Sequence, residues 1–328
     1  MDVAGSIRDR KEIPPERHGS NSGSAIAFAV EALDDVTLDA SQPDGLLAGY
    51  DLMSPYVWTD DDGCHMLVRV LPNPLGPDDP TGVIYAGHSE DDLHFSMRSE
   101  PAIAPGPGPD DAAGVEDPTV VFAANHELLV YYTGVHGGDP LQGCLMVARG
   151  DDLHSLEKER VALQAPPGEG NIKEATVAQG ADGRFRLFYE YAKDHASRIG
   201  LAVGDTPDGP WEVIDDPFTI REDLWDNWHL STGPIVALPG HDPVMFYNGA
   251  TADARWRIGW IAFDPNFGRV TARGLEPLIV PPPPEHRAAT DIAFAASCLV
   301  DDNGLIRLYF SAEDRVLRRA TVRKFEAP

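Results

Sequence analysis

Residues 117–133 read DPTVVFAANHELLVYYT: an acid, a proline, an apolar strand, a polar turn and a second strand of apolar and aromatic residues. Four other stretches repeat the phrase, starting at Ser54 (SPYVWTDDDGCHMLVRV), Glu174 (EATVAQGADGRFRLFYE), Gly233 (GPIVALPGHDPVMFYNG) and Ala295 (AASCLVDDNGLIRLYFS). The second residues of the five phrases stand at 55, 118, 175, 234 and 296, with spacings of 63, 57, 59 and 62. Twelve residues further on comes an apolar side chain each time: Leu67, Val130, Leu187, Phe246 and Leu308. Repetition at a near-constant period marks a repeat architecture. Radial repetition of small β-sheets closes into a propeller, so the expectation is an all-β, five-bladed β-propeller. In such a ring equivalent positions of the blades meet near one axis. An acid that recurs at one position then becomes a cluster, and Asp117 and Glu174 share the leading position.

The 328 residues are 42% apolar, which suffices for a packed core. Blades bury their faces only against neighbours, so residues 24–328 are expected to form one domain. Residues 1–23 read as a polar arm, open to disorder or to packing on a second subunit in a homo-oligomer. That arm lacks a signal-peptide pattern, and the chain has no run of eighteen apolar residues; a cytoplasmic, membrane-free protein is expected. The net charge of −27, from 53 acidic against 26 basic side chains, repels nucleic acid, which requires basic patches. Cys64, Cys144 and Cys298 are odd in number and widely spaced, and read as free thiols. The sequence has no HExxH and no Cys/His ligand spacing, so neither metal nor cofactor is demanded.

Each blade follows one script. Asp62-Gly63, Asp182-Gly183 and Asn303-Gly304 supply hairpin turns between the first and second strands. A third strand follows, as in GVIYAGHS (82–89) or GCLMVARG (143–150). Residues 24–53 are expected to provide an outer strand and the approach to blade one. No long segment has helical periodicity.

The leading position holds Ser54, Asp117, Glu174, Gly233 and Ala295. Two carboxylates at a channel mouth are what glycosidic cleavage needs, one to protonate the leaving oxygen and one to activate water or attack the sugar. The same acids would also serve as turn caps or arginine partners, and the sequence leaves both roles open. The loop 221–232 gathers Trp225, Asp226, Trp228 and His229, aromatic and polar groups of the kind that bind sugars; Tyr132 suits sugar contact or core packing equally.

With these residues in view, the chain resembles glycoside hydrolase family 130, the five-bladed propellers that include β-mannoside phosphorylases and β-mannosidases. The resemblance spans roughly residues 50–320. It rests on Gly114-Val115-Glu116-Asp117-Pro118 with Tyr131-Tyr132-Thr133, and on Leu67-Val68-Arg69-Val70. It also rests on Lys173-Glu174, on Trp225-Asp226 with Thr232-Gly233-Pro234-Ile235, and on Tyr309-Phe310-Ser311-Ala312-Glu313-Asp314. It implies a glycoside or oligosaccharide substrate, Asp117 as proton donor acting through a sugar hydroxyl, and substrate contacts from Arg69, Tyr132, Lys173, Trp225, Trp228, His229, Asn248 and Asp314.

Three departures bear on the reaction. Where phosphorylases of that family carry phosphate-binding arginines and a histidine, this chain has Thr119, Glu190 and Asn248. Phosphate near neutral pH needs cationic, preferably bidentate partners. A carboxylate 4 Å away instead costs about 4 kcal/mol per unit of phosphate charge at an effective dielectric of 20. The resemblance therefore implies an inverting hydrolase, with Glu190 as first candidate for general base, Asp226 second and Glu174 third. Inversion would place the working carboxyls about 6.5–9.5 Å apart. Three alternatives remain: a phosphorylase with a rebuilt anion site, a glycosidase of the family 43 type (whose blade-one acid is here Ser54, with Asp51 nearby), and a non-catalytic sugar-binding propeller.

Overall fold

The computed structural model describes residues 26–138, 141–165, 170–286 and 289–326. The expected polar arm, 1–23, lies outside them. Among the described residues the only helical segments are three short 3-10 turns, and the rest of the regular structure is antiparallel sheet but for one short parallel pairing. No helix is long and apolar enough to cross a membrane.

Blade one runs through strands Asp51–Asp60, Gly63–Leu71, Val83–Ser89 and His94–Met97, from the innermost outward. Blade two is Gly114–Phe122, Leu128–His136, Gln142–Gly150 and Glu157–Leu163; blade three is Gly170–Gln179, Phe185–Lys193, Ala196–Gly204 and Glu212–Ile214. The turn glycines Gly63, Gly183 and Gly304 take φ of +127°, +80° and +74°, the left-handed region that the sequence dipeptides anticipate. Blade four is split. Ile235–Val236, Val244–Met245, Ile261–Phe263 and Val270–Arg273 form one part, and His229–Ser231, Asn248–Ala250 and Trp256–Ile258 form the other. Gly233-Pro234 interrupts its innermost strand. Proline has no N–H for the ladder, and a Cβ on Gly233 would stand 1.9 Å from the Phe246 carbonyl oxygen.

Blade five corrects one expectation. Its strands Ala293–Val300, Ile306–Ala312 and Val316–Glu326 are completed by Ile26–Asp35, which pairs antiparallel with Val316–Glu326. The first described strand is therefore the outer strand of the last blade, not of blade one. Thr37–Leu38, running parallel to His94–Met97, joins the edge of blade one.

The five hydrophobic clusters each lie between two neighbouring blades. The second strand of every blade feeds both of its neighbours by simple alternation. Leu129 and Tyr131 face blade three, while Val130 and Tyr132 face blade one. Met66 and Val68 meet Tyr309 of blade five, while Leu67 meets blade two. Hydrogen bonds cross every junction near the axis. Tyr56 Oη donates to Val120 O at 2.9 Å, Thr119 Oγ1 to Ala175 O at 2.6 Å, and Thr176 Oγ1 to Gly233 O at 3.0 Å. Asn248 Nδ2 donates to Ala295 O at 3.1 Å, and Ser297 Oγ to Pro55 O at 2.7 Å. The ring thus closes on itself. All three cysteines are free thiols, and burial pushes Cys64 and Cys144 up to about 11 and Cys298 up to about 12.

The five repeated apolar positions, Leu67, Val130, Leu187, Phe246 and Leu308, are each fully buried. Removing the side chain of one of them leaves a cavity at a blade junction. Leu187→Ala is expected to lower unfolding free energy by about 2–5 kcal/mol, read from urea denaturation followed by tryptophan fluorescence.

Candidate active site

The leading residues of blades one to three share a backbone state that side chains seldom adopt. Ser54, Asp117 and Glu174 have φ of 50°, 53° and 47°. At each, the strand register slips against its neighbour. A left-handed residue outside glycine costs on the order of 1–3 kcal/mol and persists only where the surroundings enforce it. Here it turns three side chains from successive blades into one another. Ser54 Oγ donates to Asp117 Oδ1 at 2.7 Å, and Glu174 lies near enough to feel the charge of Asp117. The clustering expected from the repeat is present.

The second strand of blade one and the first strand of blade three supply the cations. Arg69 donates to Asp117 Oδ1 at 3.3 Å, lies 2.8 Å from Glu116 Oε1, and holds Thr81 O at 2.7 Å. Lys173 Nζ donates to Glu116 Oε2 at 3.1 Å. Glu116 is 2% exposed and bridges the two cations, a role the sequence reading did not assign. Neighbouring strand residues normally face opposite sides of a sheet. The left-handed turn at Asp117 breaks that alternation, so Glu116 and Asp117 both reach Arg69.

The carboxyls differ in their proton affinity. Burial pushes Asp117 up, but Arg69, Lys173 and the Ser54 hydroxyl together outweigh it and hold it below its ordinary range. Glu174 lies well above its ordinary value, through burial and then through the charges of Asp117 and Glu190. Glu190 is raised by burial, with the Ser197 hydroxyl and Lys173 acting in opposition. Ser197 Oγ donates to Glu190 Oε1 at 2.7 Å, and the Ser197 N–H donates to His229 Nδ1 at 3.0 Å. That bond places the proton of neutral His229 on Nε2, and burial with the charge of Arg198 lowers the ring's proton affinity. Asp314 is half-buried and raised by burial; it feels the charges of Arg69 and Asp117.

The remaining expected site residues take other places. Asp226, the second candidate for a base, is fully enclosed: Arg221 and Arg273 pair with it, and Tyr247 Oη donates to its Oδ2 at 2.6 Å. With no open face toward water it is an ion-pair anchor inside blade four. Asn248 is equally enclosed; it donates to Thr232 O and Ala295 O and accepts from Ala295 N–H, joining blades four and five instead of meeting a sugar. Tyr132 is core between blades one and two, with Oη donating to Asp111 Oδ2 at 3.0 Å. Trp225 stacks on Tyr247 at 5.6 Å, and Trp228 stands 40% exposed. Among the described residues no group of three or more His, Cys, Asp and Glu side chains is arranged to hold a metal ion.

No protein-family model and no curated protein matches the chain. Solved structures do match. A β-1,2-mannobiose phosphorylase from Listeria innocua superposes with a TM-score of 0.69 at 14% identity, over 86% of this chain and 93% of that one. A member of the glycoside hydrolase family 130 set, described as containing hydrolases that target β-1,2-mannosidic linkages in Candida mannan, gives 0.69 at 18% identity over 83% and 84%. A mannose phosphorylase from Leishmania mexicana gives 0.65 at 16% over 89% and 88%. The likeness is one of fold and extends through almost the whole of each chain.

The raised carboxyl has a consequence for stability. A Glu174 that stays protonated in the fold but ionises in the unfolded chain makes the fold weaker as pH rises above about 4.5, and the loss continues up to its folded value. Glu174→Gln is therefore expected to raise Tm by a few degrees at neutral pH. The gain should shrink as pH falls toward 4, a dependence that calorimetry across that range reads directly.

Proposed function

We propose that this chain is a member of glycoside hydrolase family 130 and that it hydrolyses a β-mannoside with inversion at the anomeric carbon. The observation that carries the reading is Glu190. An ionisable carboxyl held by Ser197 stands where the family's phosphorylases carry a phosphate-binding arginine. Lys173, which faces it across the sheet, and Arg69 of blade one are already engaged by Glu116 and Asp117. The motif order and the shared propeller support the family; the charge pattern supports water as the acceptor.

In this reading Asp117 delivers a proton to the leaving oxygen as the C1–O bond breaks. Glu190 removes a proton from the water whose oxygen bonds to C1 from the opposite face. Raised by burial, Glu190 is a stronger base than an exposed glutamate, at the cost of being protonated at mildly acidic pH. Arg69 stabilises Asp117 once its proton has left. Asp314 and His229 Nε2–H would hold sugar hydroxyls. Trp228, 40% exposed, would offer an aromatic face next to His229 in the chain.

A second reading is favoured by Arg198. Its guanidinium donates to the Ser197 and Trp228 carbonyls beside His229, leaving N–H groups for an anion. A phosphorylase built on Arg198 and His229 would require phosphate for turnover.

Product analysis of a β-1,2-mannobiose digest, with and without phosphate, separates the two. Hydrolysis predicts free mannose in both, first released as the α anomer by proton NMR; mannose 1-phosphate formed only with phosphate sinks the hydrolase reading. Asp117→Asn and Glu190→Gln should each lower kcat about 100-fold or more. Activity needs ionised Glu190, so it falls as pH drops through that group's raised value. Ser197→Ala removes a hydrogen bond that favours the ionised form and should shift this acidic limb to higher pH.

A further inference from the structure

His229, joined to Glu190 through Ser197, begins a row of rings. Its imidazole lies 5.5 Å from the Trp256 ring, tilted by 32°, and Trp256 meets Phe294 edge-on at 5.3 Å. Trp256 and Phe294 belong to none of the five hydrophobic clusters, and both are half-buried. Large rings left out of the core and lined up with polar groups are the usual lining of a ligand site. We propose that Trp256 and Phe294 form a wall on which the bound sugar lies, and that this wall selects β-linked over α-linked mannopyranosides. The wall rests on the glycosidase reading above and adds to it the face of the sugar that the site takes.

The sheet explains how the rings come together. His229 pairs with Ala250, and Ala250 pairs with Trp256, so the three share one face of the inner part of blade four. The Ala250 methyl is small enough for the rings on either side to meet over it. The Trp256 N–H donates to Asp291 O at 3.1 Å, which ties this strand to the segment entering blade five. Phe294 stands one residue before the leading position of that blade. The same place holds Glu116 in blade two and Lys173 in blade three, and those two side chains meet in the cluster at 3.1 Å. Blade five carries an aromatic ring where those blades carry charge.

The stereochemistry of the substrate fits this wall. In the chair form of a β-mannopyranoside the axial hydrogens H1, H3 and H5 share one face, which is apolar and suits an aromatic surface. An α-linked aglycone is axial and projects from that same face, so it would lift the sugar off the rings. Inversion at a β linkage brings the acceptor to C1 from this face too, opposite the departing oxygen. Base and wall therefore belong on the same side of the sugar. The structure joins them: Ser197 Oγ donates to Glu190 at 2.7 Å, Ser197 N–H donates to His229 at 3.0 Å, and His229 packs on Trp256. Asp117, the proton donor, comes from blade two, a different sector of the ring. In this arrangement the rings cover the C3 and C5 side of the sugar and leave C1 to Glu190.

The test uses the full chain and a hydrolysis-resistant probe, methyl 1-thio-β-mannopyranoside, beside its α anomer. Binding is read by titration and by saturation-transfer NMR. In the wild type, saturation at H3 and H5 should exceed that at H4, which points to the other face, and the α anomer should bind at least about tenfold more weakly. Trp256→Leu and Phe294→Leu should each weaken binding of the β probe about tenfold and even out the saturation, whereas Trp256→Phe should stay within about threefold of wild type. On cleavable β-mannosides the Leu variants should raise KM more than they lower kcat. No binding of the β probe, saturation strongest at H4, equal affinity for the two anomers, or unchanged binding in both Leu variants overturns the wall. The wild-type saturation pattern answers the question even where a variant folds poorly. The two readings fail separately. Binding on this face with strictly phosphate-dependent cleavage, or with none, removes the hydrolase reading and leaves the wall. Hydrolysis of β-mannosides at unchanged KM in both Leu variants removes the wall and leaves the hydrolase.

Discussion

The pairing of Ile26–Asp35 with Val316–Glu326 is the constraint on which the rest of this molecule depends. It fastens the first described strand onto the last blade and makes an open row of sheets a ring. Nine residue pairs hold the register, and ion pairs reinforce it across the strands: Arg319 with Asp34 at 2.7 Å, and Arg323 with Glu31. The Arg323 pair lies open to solvent and contributes little; Arg319 is more enclosed. Most of the closure energy comes from the apolar cluster between blades four and five, where Phe28 on the first strand packs edge-on against Phe246 and Trp260. Without closure the blade-five and blade-one innermost strands would part, and the hydrogen bond from Ser297 to Pro55 with them. The site needs that fixed curvature, because its side chains come from three blades and touch only if the blades converge.

Convergence creates an electrostatic problem that the fold solves locally. Glu116, Asp117, Glu174 and Glu190 share a space with two cations. Arg69 answers Glu116 and Asp117 together, and its planar fork suits two acceptors at once better than an ammonium would. Lys173 takes the other oxygen of Glu116. Glu116 thus fixes the spacing of the cations. A buried carboxylate with two cationic partners is costly to remove, because Arg69 would keep only Asp117 and Lys173 would lose its ion-pair partner. The strain at Ser54, Asp117 and Glu174 is paid in the same place, and its recurrence in three blades ties it to the site and not to an accident of one loop.

Much of this was legible in the sequence, for identifiable reasons. The repeated phrase reported the blades because each needs the same alternation of strand and turn. The leading acids were legible because a ring brings equivalent positions together. Glu116 was not, because period-two alternation assigns it to the opposite face from Asp117, and only a left-handed residue overrides that rule. The partner of the first strand was not legible either: pairing nearly three hundred residues away leaves no local mark on either strand. Asp226, Asn248 and Tyr132 looked like site residues because polar and aromatic side chains in propeller strands serve both ligand and scaffold. What separates the uses is the set of partners, and partners such as Arg273 or Ala295 are distant in sequence.

The chemistry at the mouth can be weighed by charge alone. Four carboxyls stand there, Glu116, Asp117, Glu174 and Glu190, against Arg69 and Lys173. The cluster is therefore net negative before any ligand arrives. Each unit of phosphate charge brought 4 Å from an unneutralised carboxylate meets about 4 kcal/mol of repulsion at an effective dielectric of 20. Arg198 is the available counterweight, and its guanidinium is already bonded to the Ser197 and Trp228 carbonyls. A water molecule has no such penalty and gains a hydrogen bond from the same carboxylate. A neutral sugar, rich in hydroxyl donors, likewise gains from a mouth rich in acceptors. An acidic, cation-poor mouth of this kind selects by what it repels as much as by what it binds.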